Sequence, residues 1–233
     1  MPNLIQNNMF IGHFGIAFAA KKIAPKVSLA TLFIATQFVD ILWPFFLVFG
    51  VEKVAIKPGY TEMNAFEFLH YPYTHSLFMG LIWGVIVGGI HWIFKRDNRS
   101  ALVIGFCVIS HWLLDVIVHV ADLPLSPFNN YKVGFGLWNH VAITLFVETA
   151  IFFAGIFVYI GVTKAKNKIG KFGLWALIIV LLVITLSNTF GPTPSDSITI
   201  LFYSFIIIMA IIVSLSYFTD KNRVLVEINK QNS

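Results

Sequence analysis

The stretch "SHWLLDVIVH" (residues 110–119) spaces His111, Asp115 and His119 four residues apart within an apolar run. Residues four apart lie on one face of an α-helix, about 6 Å apart along its axis. The spacing therefore predicts a helix on which His111 and Asp115 share one metal ion or bind two neighbouring ions. His119 lies roughly 12 Å from His111. It therefore binds a second ion, contacts a ligand of the first ion, or forms a hydrogen bond elsewhere.

The composition around this stretch is that of a membrane protein. The 233 residues are 58% hydrophobic and 12% charged, with a mean hydropathy of +0.81, whereas soluble domains carry about 25% charged residues. We expect a single all-α integral-membrane domain over residues 1–233, folded as a polytopic helix bundle. The single cysteine, Cys107, excludes an intramolecular disulfide and a thiolate metal site.

Apolar length predicts about six membrane spans and one shorter segment. The spans lie at about 28–50, 75–94, 100–121, 136–162, 171–190 and 197–218. The shorter segment, 9–24, reaches only about 24 Å at 1.5 Å per residue, so a re-entrant or tilted helix is expected there. In the first span, Pro44 is expected to kink the helix beside Asp40.

The basic residues predict the orientation of the bundle. Of 16 Lys and Arg residues, 13 fall in alternate loops or at the C-terminus. The positive-inside rule places these loops and the C-terminus in the cytoplasm. The segments 51–74, 122–135 and 191–196 then face outside. The net charge of +5 is therefore a topology signal, and we expect no nucleic-acid partner.

Three carboxylates, Asp40, Asp115 and Glu148, fall inside predicted spans. An ionised side chain at the bilayer centre costs about 2.5–3.5 kcal/mol, so the three together cost roughly 8–10 kcal/mol if left unpaired. No Lys or Arg lies in the interior of these spans to neutralise them. A metal ion is the remaining counter-charge, since structural zinc sites contribute about 10–16 kcal/mol.

The ionisable groups of the spans converge on the middle and outer half of the bilayer. The candidate metal ligands are His13, Asp40, His75, His111, Asp115, His119 and His140. Histidine and carboxylate without thiolate suit Zn²⁺, with Mn²⁺ or Fe²⁺ open. Because His140 and Glu148 repeat the eight-residue spacing, we expect more than one ion. Glu148 is a candidate general base or ligand, and His70, in an outer loop, is a candidate general acid or phosphate contact.

A single histidine in a membrane span is more often an interhelical hydrogen-bonding group than a ligand. His91 fits that interpretation, because it lies near the cytoplasmic end of its span without a carboxylate partner. Thr74, directly before His75, has the residue type of a helix N-cap. The joint occurrence of two Asp, one Glu and several His at compatible depths favours a functional site.

Several motifs resemble those of the YdjM-like family, which comprises bacterial inner-membrane proteins described as metal-dependent hydrolases. They are "GHFGIAFAA" (12–20), "HYPYTHS" (70–76), "SHWLLD" (110–115) and "GLWNH" (136–140). The resemblance covers about residues 10–150 and does not include the C-terminal spans, about 171–218. By that resemblance, the functional positions would be His13, Asp40, His70, His75, His111 and Asp115. Tyr71 stands where an arginine is expected, which speaks against phosphate binding at that position.

The order of the candidate ligands is also similar to that of zinc-dependent phospholipase C and P1-type nucleases. Their ligands follow the order His, Asp, His, His-x-x-x-Asp, His, His and an acid. The match is incomplete, because an N-terminal tryptophan ligand is missing and the spacing from the last His to the acid is longer. This similarity suggests a chemistry and not a fold.

From the residues and the resemblance we expect a hydrolase of the inner (plasma) membrane that acts on a phosphoester of a membrane lipid or lipid-linked substrate. Two other classes stay open. A metal-ion or proton transporter also buries His and Asp near the midplane, although it usually shows internal repeats. The third class is a non-catalytic membrane protein with a structural metal site or a scaffold role.

The Lys and Arg distribution predicts which segments labelling reagents reach from each side. In a variant without Cys107, a cysteine at position 132 should react with an impermeant thiol reagent from outside. A cysteine at position 166 should react only after the cytoplasmic face is opened. Labelling of position 132 from the cytoplasmic side alone would overturn the orientation.

Overall fold

The computed structural model describes residues 11–226 and is predominantly helical. In this part of the chain the α-helices are α1 (Ile11–Ile23), α2 (Leu29–Thr36), α3 (Phe38–Val48), α4 (Pro72–His75), α5 (Leu77–Lys95), α6 (Asn98–Val118), α7 (Val141–Val162), α8 (Lys168–Phe190) and α9 (Ile198–Lys221). A 3-10 turn, Leu137–Asn139, precedes α7. Short strands form three antiparallel pairs: β1 (Lys53–Ile56) with β2 (Phe66–His70), β3 (Leu123–Pro124) with β4 (Lys132–Val133), and β5 (Thr163–Ala165) with β6 (Arg223–Leu225).

The predicted helical membrane bundle is confirmed. Among the described residues, the five α-helices α5 to α9 are each long and apolar enough to cross a membrane. The bent pair α2–α3 makes a sixth candidate span. Several helices begin at a capping side chain. Ser28, Ser76, Asp97 and Asn167 each accept a hydrogen bond from a backbone amide in the first turn. These bonds satisfy amides that have no partner within the helix.

The first predicted span, 28–50, is broken, and the break does not lie at Pro44. Helices α2 and α3 meet at Gln37 with a bend of 52°, whereas Pro44 lies inside α3. Gln37 has φ −106° and ψ 11°, which interrupts the helical hydrogen-bond pattern directly after Thr36. The bend is thus three residues before Asp40, and not four residues after it as the proline suggested.

Helix α1 lies inside the bundle and not at its lipid-facing surface. Nine of its 13 residues are buried, and it packs mainly on α7, with further contacts to α2 and α6. Its length of about 20 Å is short of a hydrocarbon core of about 30 Å. The predicted segment 9–24 starts two residues earlier, and those residues lie outside the described range. The buried position of α1 brings His13 to the centre of the bundle.

The lysine-rich segments meet at one end of the bundle. Lys21 Nζ lies 2.7 Å from Asp220 Oδ2, and the Tyr159 hydroxyl donates to the other carboxylate oxygen at 2.8 Å. Beside them β5 pairs with β6, and Arg223 donates to the carbonyl of Thr163 at 3.0 Å. These contacts join α1, α7 and α9. The side of the membrane on which this end lies stays a prediction.

The loops at the opposite end form a cap that the expectation of an all-α bundle did not include. The pairs β1–β2 and β3–β4 belong to it, together with the 3-10 turn. The amide of Met63 donates to the carbonyl of Trp138 at 3.1 Å, and the Tyr60 hydroxyl donates to Asp122 at 3.3 Å. Hydrogen bonds between the loops thus hold the cap together over the ends of the helices.

Two glycines allow the backbones of α1 and α7 to touch. A Cβ atom at Gly155 would overlap the carbonyl oxygen of Gly15, and a Cβ atom at Gly15 would lie 2.5 Å from the carbonyl oxygen of Ile151. No side-chain movement relieves an overlap with backbone. The position of α1, and therefore of His13, depends on these glycines.

Gly155→Ala is expected to destabilise the protein by about 1–3 kcal/mol, because the added methyl group overpacks the α1–α7 contact. The apparent melting temperature of the purified protein in detergent measures this. Gly161→Ala is the matched control, since it lies on the same helix with no atom within 4 Å of its added Cβ. The control should be neutral or stabilising by up to about 1 kcal/mol. Equal melting temperatures for both variants would contradict the close packing.

Candidate metal centre

Two groups of buried side chains could each hold a metal ion. One consists of His13, His111 and Asp115, and the other of Asp40, His75 and His111. Within each group, one ligand atom per residue lies within 4.8 Å of the others. The two groups share His111 and combine residues from α1, α3, α4 and α6. The pair predicted from residues 110–119 is present, with His111 Nε2 3.3 Å from Asp115 Oδ2.

The break between α2 and α3 fixes the orientation of His111. In a continuous helix the carbonyl of Thr36 would accept from the amide of Asp40, four residues on. Here the Nδ1 atom of His111 donates to that carbonyl at 2.8 Å. Because a carbonyl oxygen only accepts, Nδ1 carries a proton, and in the neutral ring Nε2 then presents a lone pair. That nitrogen lies 3.5 Å from Asp40 Oδ1.

His75 is oriented by two residues that precede it. It ends the short helix α4 and does not open the span as expected, because Ser76 caps α5. Thr74 is not an N-cap: its hydroxyl lies 2.7 Å from His75 Nδ1 and donates to Glu52 at 2.7 Å. The other ring nitrogen, Nε2, lies 3.1 Å from Asp40 Oδ1.

Glu52 is not among the site residues that the sequence predicts. It lies in a loop between α3 and β1, and no spacing relates it to the candidate ligands. The structure buries it at 1% exposure, where burial raises the pKa of its carboxyl group. A buried acid in a loop is visible only once the fold is known.

The arrangement places acceptor atoms against one another. In their neutral forms, His75 and His111 would both present a lone pair on Nε2 to Asp40 Oδ1. The Oδ2 atom of Asp115 is also buried and accepts no hydrogen bond of normal geometry. Opposed lone pairs repel unless a proton or a metal ion lies between them, and no Lys or Arg forms an ion pair with either aspartate in residues 11–226. The donor set therefore fits a divalent ion of the zinc type.

His13 completes the cluster from α1. Its Nε2 lies 3.4 Å from Asp115 Oδ1 and 3.3 Å from the carbonyl oxygen of His111, and its ring centroid is 4.1 Å from that of His111. The two oxygens of Asp115 thus face two different histidines, Oδ1 towards His13 and Oδ2 towards His111. Asp115 would therefore offer an oxygen to an ion held by either histidine.

A cavity of about 30 Å³ adjoins the cluster. Its lining residues are Asp40, Trp43, Phe66, Phe68, His75, His111, Asp115, His119, Trp138 and Phe205. This volume has room for about two water molecules. The Asp40 side chain is 12% exposed, whereas those of His111 and Asp115 are 2% exposed. Asp40 is therefore the ligand nearest to an opening.

His119 lines this cavity but belongs to neither ligand group. Its Nδ1 lies 2.9 Å from Asp122 Oδ1, and the Tyr71 hydroxyl donates to the same oxygen at 3.2 Å. Burial and the nearby Asp122 raise the pKa of the Tyr71 hydroxyl, so it stays protonated and donates. With Nδ1 bonded to Asp122, Nε2 is the nitrogen left for the cavity.

The other predicted site residues are not brought into the two groups. His70, at the end of β2, and His140, directly before α7, are both exposed. Glu148 is buried and faces the start of α1, where it lines a separate cavity of about 10 Å³ with Gly12 and His13. The positive end of the helix dipole favours a carboxylate there. The roles predicted for these three residues stay predictions.

Loss of a cluster ligand is expected to remove bound metal. His111→Ala and Asp115→Asn should carry little zinc or manganese after gel filtration, because each change removes a donor atom from the cluster. His91→Ala is the control, since His91 lies near the lysine-rich end of α5 and belongs to neither ligand group. Elemental analysis of the purified variants measures the content. Equal metal content in all three variants would show that these histidines are packing groups.

Comparison with known proteins assigns the chain to a family. The model of the YdjM inner membrane protein family matches residues 9–191, so the match extends beyond the expected 10–150 to the end of α8. Searches of curated proteins and of solved structures found no match, and the similarity to phospholipase C and P1-type nucleases gains no support from them. Since most of its length is matched, this multi-pass membrane protein belongs to the YdjM inner membrane protein family.

Proposed function

We propose that the protein is a membrane-embedded, metal-dependent hydrolase that acts on a phosphoester of a lipid or lipid-linked substrate. The observation that carries the proposal is the cavity beside the buried cluster of three His and two Asp. Structural metal sites are closed by protein ligands, whereas catalytic sites keep a position open for water or substrate. A cluster that adjoins room for about two waters favours the catalytic type.

The chain's own residues hold and orient the reacting groups. His75, His111 and Asp40 would bind a divalent ion, with Asp115 and His13 as further ligands. Such an ion supplies Lewis-acid activation of water and of the phosphoester group. The rings of Trp43, Phe66, Phe68 and Trp138 form the apolar wall of the cavity. They limit the water that reaches the site.

His119 is the residue best placed for proton transfer. It presents Nε2 to the cavity while Asp122 accepts a hydrogen bond from Nδ1. A histidine held by a carboxylate in this way keeps a fixed orientation and tautomer, which general acid–base catalysis requires. Its backbone is held as well, because its amide donates to the carbonyl of Asp115 at 2.8 Å. The proposed role differs from that of a metal ligand, which the sequence predicts for His119 and which stays a prediction.

A lipid substrate is favoured by the position of the opening. Asp40, on α3, is the most exposed of the aspartate ligands, and Phe205, on α9, lines the same cavity. Helices α3 and α9 contact each other, and both present exposed apolar side chains such as Phe45 and Tyr203. A head group would reach Asp40 from the bilayer between these helices. The aromatic wall must move, because the cavity is smaller than a phosphate group with its ester.

A metal-ion transporter is the second candidate, and one observation favours it. The α2–α3 span is discontinuous at Gln37, directly before Asp40. Discontinuous membrane helices line ion sites in many transporters. Such transporters have matching broken helices in two halves, however, and the described residues contain one bent pair.

Hydrolysis is tested with phosphatidic acid, phosphatidylethanolamine and phosphatidylglycerol in mixed micelles. The wild-type protein should release phosphate or head group from at least one of them. Chelation should abolish the release, and zinc or manganese should restore it. His119→Ala should lower turnover by about 10²–10⁴-fold, the range for loss of a general acid or base, while its metal content stays normal.

His91→Ala is the control for activity as it is for metal content. Absence of turnover on every lipid by metal-loaded protein would contradict the hydrolase. Zinc uptake driven by a concentration gradient in proteoliposomes, without hydrolysis, would establish the transporter instead. Normal turnover in His119→Ala would exclude that residue from proton transfer.

A further inference from the structure

A buried series of hydrogen bonds leads from Glu52, in the loop before β1, to the candidate metal centre. Glu52 accepts from the backbone amides of Tyr73 at 2.8 Å and Thr74 at 2.9 Å, both through Oε1. Its Oε2 accepts from the Thr74 hydroxyl at 2.7 Å. The same hydroxyl oxygen lies 2.7 Å from His75 Nδ1. His75 Nε2 then faces Asp40 at 3.1 Å.

We propose that Glu52, acting through Thr74, fixes the tautomer of His75 and thereby makes His75 a metal ligand. Glu52 is a positioning residue, since it touches neither the ligand atoms nor the cavity. The proposal rests on the proposed metal site and names a residue that neither the sequence pattern nor the ligand groups include.

The direction of each hydrogen bond follows from the groups involved. Two backbone amides donate to Oε1 of Glu52 and the Thr74 hydroxyl donates to Oε2, so both oxygens of Glu52 accept. The Thr74 hydroxyl has one proton, and it is given to Glu52 Oε2. The hydroxyl can then only accept from the imidazole, which places the proton of His75 on Nδ1. Nε2 is left with a lone pair, the form in which histidine binds a metal.

A glutamine in place of Glu52 would reverse the donor and acceptor roles in this series of hydrogen bonds while keeping the shape of the side chain. The two backbone amides of Tyr73 and Thr74 require an acceptor, so the amide oxygen would take the place of Oε1. The amide nitrogen would then face Thr74 and donate to its hydroxyl oxygen. The hydroxyl proton would turn to His75 Nδ1, and the imidazole proton would move to Nε2. A nitrogen that carries a proton cannot coordinate an ion.

Because these hydrogen bonds are buried, a change in their direction should have a large effect on metal affinity. Glu52, Thr74 and His75 are 1%, 1% and 5% exposed, so water does not replace a reversed hydrogen bond. Residues behind a ligating histidine typically change metal affinity by about 10–100-fold when mutated. Glu52 also holds the loop at the start of α4 through two backbone amides, and a glutamine retains both of those bonds.

The test is zinc affinity of the purified full-length protein, measured by competition with a chromophoric chelator. Glu52→Gln should bind zinc about 10–100-fold more weakly than wild type, with an unchanged melting temperature in the metal-free state. Thr74→Val should show a similar loss, because it removes the hydroxyl that links the carboxylate to the imidazole. Thr74→Ser restores that hydroxyl and should bind zinc nearly as wild type does.

Glu67→Gln is the charge control, because Glu67 lies in the same outer cap and pairs only with the exposed Lys57 among the described residues. It removes the same charge and should leave zinc affinity unchanged. Wild-type affinity in Glu52→Gln would overturn the proposal, as would a weakened variant whose metal-free form melts early. Failure of the wild-type protein itself to bind zinc would instead overturn the proposed function and this inference with it.

Discussion

Two aspartates, Asp40 and Asp115, are buried inside the helix bundle, and their neighbours at ion-pair distance are histidines. Charge of this kind is costly in a low-dielectric interior unless it is compensated. The contacts at Nδ1 of His75 and of His111 orient both rings so that Nε2 faces the carboxylates. Protons on the imidazoles or a metal ion between these atoms would compensate the buried carboxylates, and the residues present could hold such an ion.

The supports of the cluster come from irregular parts of the fold. The helix break at Gln37 frees the carbonyl of Thr36 for His111. The loop before β1 and the short helix α4 bring Glu52 and Thr74 to His75. A continuous α2–α3 helix would leave the Nδ1 proton of His111 without this acceptor. The regular helices provide depth and burial, whereas the irregular segments determine which nitrogen of each ring faces the aspartates.

The sequence predicts the bundle and the core of the site, because both depend on local periodicity. The apolar spans and the i, i+4 pair of His111 with Asp115 were read from spacing alone, and the fold places them as expected. Glu52 could not be found in this way, since loop closure and not spacing brings it to Thr74. Asp122 is three residues from His119, but it lies beyond the end of α6, where helical spacing no longer applies. Position along a helix axis also suggested that His140 lies above the cluster, but its side chain is exposed where α7 begins.

The coordination shell of zinc in the loaded protein tests the central claim most directly. X-ray absorption at the zinc edge should show nitrogen and oxygen ligands at about 2.0–2.2 Å and no sulfur shell at about 2.3 Å. The spectrum should also carry the outer-shell scattering of at least two imidazole rings. A first shell of oxygen alone, or a spectrum that is unchanged when His75 and His111 are both replaced by alanine, would contradict the account.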